Sequence, residues 1–175
     1  MRFWWCRKTA RSAQMDALVT TVMLWLSANA GLPMAPTPPR IELISSYEMA
    51  ALRYKILQDF QFRKTAKPND RGPQQEPASD LVAFYNDRTK TIYLPAGWTG
   101  GTPAELSVLV HEMVHHLQNA AAVVHECPLA REKLAYQMQE RWLGLFGRSL
   151  ETDFGIDRMA LLVKTSCAFA VVDPQ

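Results

Sequence analysis

Leu109-Val110-His111-Glu112-Met113-Val114-His115-His116 is the stretch on which the reading of this chain turns. Two histidines four residues apart lie on one face of an α-helix, so both imidazoles can address a single ion. Glu112, about 100° further round, reaches the space beside that ion. The HExxH pattern carries this meaning only on a helix, and the preceding residues supply a helix start. Thr102 is a capping residue, Pro103 fits the first turn, and Glu105 completes a capping box. Leu106, Leu109, Val110, Val114 and Leu117 then give an apolar face, so the helix is predicted to run from Thr102 to about Ala120. Scarcity argues against chance, because three of the chain's four histidines fall within this stretch.

A catalytic metal takes three protein ligands and keeps one position for water, so a third donor must come from elsewhere. A third histidine six residues after the second is excluded, since the chain has Gln118 and Ala121 where that arrangement needs glycine and histidine. Two sources stay open: His125 in the following loop, and an acid on the next helix, where Glu132 occurs with Glu126 and Glu140 as alternatives. His116 is either a support for the site or a satisfied histidine of the fold. Tyr93, Trp98, Tyr136 and Gln139 are candidates for the pocket or for donating to a developing negative charge, against the plainer reading of core packing.

The motif followed by Glu132-Lys133-Leu134-Ala135 on a downstream helix resembles the gluzincin group of zinc peptidases. That resemblance implies an α+β, zincin-like fold, a small sheet packed against the HExxH helix and a ligand-bearing helix. It implies one catalytic zinc on His111, His115 and Glu132, Glu112 as the base that activates water, and a peptide or protein substrate. Several members of the group carry aspartate where this chain has Tyr136, which leaves His116, Tyr136 and Gln139 as candidates to support the ligands. The chain is also similar to a bacterial family of small single-domain HExxH proteins, through Cys127-Pro128 and Ala135-Tyr136-Gln137-Met138-Gln139. In zincin-like folds a strand ahead of the helix lines the cleft and pairs with extended peptide. The resemblance places Thr91 to Leu94 there, a role that needs an exposed edge.

Around this centre, Arg40 to Ile44 reads as a strand, and Ser45 or Ser46 caps a helix carrying Met49, Leu52, Tyr54 and Leu57. Residues 63–79 read as an exposed loop. Leu81 to Tyr85 and Thr91 to Leu94 flank the turn Asn86-Asp87-Arg88-Thr89 as a hairpin. A helix is predicted over Leu129 to Phe146 with a stripe of Leu134, Met138, Trp142 and Leu145, and a final helical element over Leu150 to Ala170.

Residues 33–175 are expected to form one domain, since 175 residues support one core of ordinary size. Residues 1–32 read either as a packed helix, favoured with a cytoplasmic setting, or as an export signal or anchor cut near Ala30. That segment is the only route to membrane contact. A net charge of +2 with scattered basic residues excludes nucleic acid as a partner. Cys127 and Cys167 are either a bridge or two free thiols. A second functional reading is a non-catalytic metal protein, with a fourth ligand such as His125 closing the site.

Overall fold

The computed structural model describes residues 3–52, 55 and 83–169. Helix α3, Pro103–Ala120, forms where its start signals place it. The Thr102 side chain accepts the Glu105 N–H, and the Glu105 carboxylate accepts the Thr102 N–H in return. The same carboxylate takes the N–H groups of Thr99 and Gly101, winding the preceding loop onto the first turn. Trp98 is buried here as an anchor of the helix start, its indole N–H donating to the Glu105 carbonyl. Gly100 answers two demands: its φ is +69°, and a β-carbon would sit 2.8 Å from the Trp98 ring.

Three strands form one sheet in the order β1 (Arg40–Ile44), β3 (Thr91–Pro95), β2 (Phe84–Asn86). β3 is parallel to β1 and antiparallel to β2. This corrects the expectation that Thr91 to Leu94 offers an edge to peptide, because the backbone groups of β3 are used by a neighbour on each side. All four of those residues are buried, as a central strand covered on both faces requires. The hairpin is as expected, though Asn86 belongs to the ladder opposite Thr91, and its side chain accepts the N–H groups of Arg88 and Thr89 in the turn. Leu81 and Val82 lie outside the described residues. Tyr85 sits opposite Ile92 and faces α3; Phe84 and Tyr93 stack 4.9 Å apart on the other face, which turns Tyr93 away from the HExxH helix.

Helix α1, Phe3–Asn29, precedes Gly31, which takes a φ of +66°. Its Val19, Val22, Met23 and Leu26 recur at helical spacing and are buried in the same cluster as Leu109, Val110, Met113 and Leu117 of α3. One face of residues 17–29 therefore packs into the core in this structure. Among the described residues no helix is long and apolar enough to cross a membrane. Leu26→Ala is expected to cost about 2–5 kcal/mol in chemical denaturation. Leu24→Ala, at a half-exposed position of the same helix, should stay within about 0.5 kcal/mol.

Ser45 caps helix α2, described over residues 46–52, with Glu48 closing the box and Met49 buried beneath it. Tyr54, Leu57 and the loop 63–79 lie outside the described residues. The predicted helix from Leu129 begins later. Pro128–Arg131 is a 3-10 turn, and α4 spans Glu132–Gly144, so Glu132 is its first residue. Its buried stripe is Ala135, Met138 and Leu143, with Trp142 partly buried, whereas Leu145 lies past the helix end and is exposed. The single element expected over Leu150 to Ala170 is three pieces: α5 (Leu150–Phe154), α6 (Arg158–Thr165) and a 3-10 turn, Cys167–Phe169. Gly155 ends α5 in the left-handed region, and Asp157 caps α6 by accepting the Ala160 N–H. Ala170 lies outside the described residues. Cys127 and Cys167 are joined as a disulfide across a sequence separation of 40.

Candidate metal centre

The middle of α3 and the start of α4 bring three donor atoms together. His111 Nε2 lies 3.1 Å from Glu132 Oε2, His115 Nε2 lies 3.2 Å from the same oxygen, and the two Nε2 atoms are 3.3 Å apart. An ion bonded to such donors at about 2.1 Å and near-tetrahedral angles sets them about 3.4 Å from one another. The triangle has the size of a metal-ligand set.

The far side of each ring decides what the near side presents. Ser107 donates its hydroxyl to the Ala104 carbonyl, and Gln139 donates its amide N–H to Ser107 Oγ at 3.3 Å. That orients Gln139 Oε1 towards His111 Nδ1, 3.0 Å away, so Nδ1 carries the proton and donates. His115 is held alike: Gln118 donates to the Arg131 carbonyl at 3.0 Å, and its Oε1 accepts from His115 Nδ1 at 3.1 Å. Arg131 Nε also approaches that Nδ1, at 3.3 Å, but a protonated nitrogen cannot accept from it, and the fixed Gln118 amide assigns the proton. With both Nδ1 atoms donating to glutamine oxygens, a ring that is neutral points a bare Nε2 lone pair at the carboxylate oxygen. Three electron-rich atoms at 3.1–3.3 Å need a cation between them. A metal ion could supply it; without metal, protons on the imidazole Nε2 atoms do, donated to the Glu132 oxygen.

Burial favours the uncharged form of Glu132, but hydrogen bonds from His111 and then His115 hold its carboxyl well below the usual carboxylate range. Glu112 has no such pairing. Burial pushes its carboxyl up to about 7, opposed by the charge of His111, reinforced by Glu132, and countered further by the Tyr85 backbone N–H. A dication held by the neighbouring ligands also works against this push. Tyr136 stacks edge-on against His111 with centroids 4.6 Å apart. Its hydroxyl is pushed up to about 12 by burial and by the charges of Glu132 and Glu112, so it remains a proton donor.

Among the described residues the cluster is His111, His115 and Glu132. Of the alternative ligands, Glu140 accepts the Leu150 N–H at 2.6 Å and Glu126 is exposed outside the cluster. His125 is not brought to the cluster either, and its buried Nε2 has no hydrogen-bond partner. His116 turns away from the ligands: its Nε2–H donates to the Thr37 carbonyl at 2.9 Å, and its Nδ1 accepts the Tyr85 hydroxyl at 3.2 Å. Asn119 donates to the Tyr85 oxygen, so His116 pins the β2 edge and the proline-rich connector onto α3. Gln139, in contrast, is hydrogen-bonded directly to His111.

Sequence reasoning passed over Gln118, Arg131, Asp87, Ser107 and Tyr85. Arg131 and Asp87 form a two-bond ion pair at 2.8 and 3.0 Å that ties the hairpin turn to the residue before Glu132. Gln118, one turn beyond His115 on the same helix, was legible as a partner from spacing alone. Gln139→Leu is expected to raise the metal dissociation constant about 10–100-fold in competition with a chromophoric chelator. Gln137→Leu, exposed on the same helix, should leave it unchanged.

A family model described as Domain of unknown function (DUF6647) matches residues 11–175. No curated protein and no solved structure matches the chain.

Proposed function

We propose that this chain, which belongs to the DUF6647 family, is a zinc-dependent hydrolase of zincin type that cleaves a peptide or amide bond. The observation that carries this reading is the convergence of two imidazole nitrogens and one carboxylate oxygen within 3.1–3.3 Å, with a buried carboxyl beside them. Two nitrogens and one oxygen form a donor set that suits zinc. Bound there, zinc supplies a Lewis acid that polarises a carbonyl and acidifies water.

The chain's own groups supply the rest. His111, His115 and Glu132 hold position because Gln139, Gln118 and the start of α4 fix them. Glu112, buried beside the ligands, accepts the proton of the attacking water and returns it to the leaving amine. Tyr136 offers its hydroxyl to the oxygen on which negative charge develops. An extended peptide finds its place along β2 rather than β3: among the described residues β2 is an edge strand packed on α3, and the Tyr85 N–H faces Glu112. The disulfide suits an oxidising compartment.

The test is metal analysis together with hydrolysis of a fluorogenic peptide library. About one zinc per chain and cleavage lost to a chelator and restored by zinc support the reading. Full cleavage in chelator-treated protein, or no metal uptake, removes it.

A further inference from the structure

We propose that the Cys127–Cys167 disulfide is a redox control on the third metal ligand, such that its reduction by a dithiol weakens metal binding at His111, His115 and Glu132. This rests on the metal reading above and goes beyond it, because it makes the oxidation state of two residues outside the cluster a determinant of the site.

The three ligands are not held alike. His111 and His115 ride in the middle of α3, whose neighbouring side chains form the buried core. Glu132 is the first residue of α4 and follows a turn, Pro128–Arg131, that contains no buried residue and has no side-chain cap. The loop ahead of that turn is exposed from Ala122 to Val124. Apolar burial holds α4 from Ala135 onward, so the end of the helix that carries Glu132 depends on three further tethers in the turn before it. Arg131 is paired with Asp87, the Arg131 carbonyl accepts from Gln118, and Cys127, which begins the turn, is bonded to Cys167. Of these the disulfide is the only covalent one. It ties the start of α4 to the turn that follows α6, a helix packed against α4, and so closes a ring containing the whole of α4.

Both cysteines are only partly buried, between exposed Glu126 and Pro128 on one side and exposed Ala168 on the other, so a small dithiol can reach the bond. One thiolate of the dithiol attacks a protein sulfur and forms a mixed disulfide. Its second thiol then displaces the remaining protein sulfur. The protein disulfide is reduced to two thiols and the dithiol is oxidised to its own disulfide, which balances electrons and protons.

Two measurements test this without reference to turnover. The first compares zinc affinity, by chelator competition, of the oxidised protein and the Cys127→Ser/Cys167→Ser double variant. A loss of tenfold or more is expected, and equal affinity overturns the proposal. The second uses reciprocity: if the disulfide favours metal, metal must favour the disulfide by the same factor. The thiol–disulfide midpoint of the natural chain, read by thiol trapping in dithiothreitol buffers at free zinc fixed by a metal buffer, should fall by about 30 mV per tenfold coupling relative to stripped protein. This decides the matter if the double variant does not fold, and a midpoint unmoved or raised by zinc overturns the proposal. Oxidised protein that takes up no metal would instead fail the metal reading itself.

Discussion

His111→Ala and His115→Ala are each expected to bring the metal content of purified protein from about one ion per chain to near zero, with hydrolysis lost in parallel. The magnitude follows from ligand number. Apparent binding energies of about 10–16 kcal/mol shared among four protein ligands imply about 3 kcal/mol for each, hence more than a 100-fold loss of affinity from a three-ligand site. The neighbouring His116 makes the control. His116→Gln breaks the bonds to Thr37 and Tyr85, so it should lower thermal stability while leaving metal content intact. If either alanine variant retains a full equivalent of metal, the assigned ligand set is wrong.

Glu112→Gln is expected to do the opposite: metal content stays at one equivalent and turnover falls by about 10²–10⁴-fold, the usual contribution of a positioned general base. The amide has the carboxyl's shape but accepts no proton at neutral pH. Burial adds a second signature in chelator-stripped protein. An acid whose folded pKa is raised to about 7 binds more protons folded than unfolded, so it lowers stability as pH rises from about 4.5 towards 7. The glutamine variant removes that slope. It should gain on the order of 2 kcal/mol over the natural chain at pH 7.5 and nothing at pH 4. Hydrolysis undiminished in this variant would exclude Glu112 as the base.

Local signals carried much of this architecture. The capping box at Thr102 and Glu105, the spacing of His111 and His115, and the hairpin around Asn86 depend on residues a few positions apart, and the structure has each. What failed to show depends on contacts between distant segments. Nothing within Thr91 to Leu94 reveals that Arg40 to Ile44 will pair along its other side and make it central. Gln139 and Gln118 read as ordinary polar residues until the fold sets their amides against imidazoles. The start of α4 at Glu132 is masked in the sequence because Leu129 continues the apolar period, while Pro128 starts a tighter turn. Glu132 came from family resemblance, and its spacing alone did not separate it from Glu126 or Glu140.

The pairing of β1 with β3 has a bearing on the order of assembly. Helices α3 and α4 are separated only by Ala121 to Arg131 and hold all three candidate ligands, so loop closure costs less entropy there than in the sheet. The sheet must instead bring Arg40–Ile44 to Thr91–Pro95 across a long stretch of chain. The helical pair is thus the local unit, able to nucleate early, and the strand at Arg40–Ile44 docks afterwards. In amide exchange its N–H groups should lose protection first, while those of α3 persist until global unfolding.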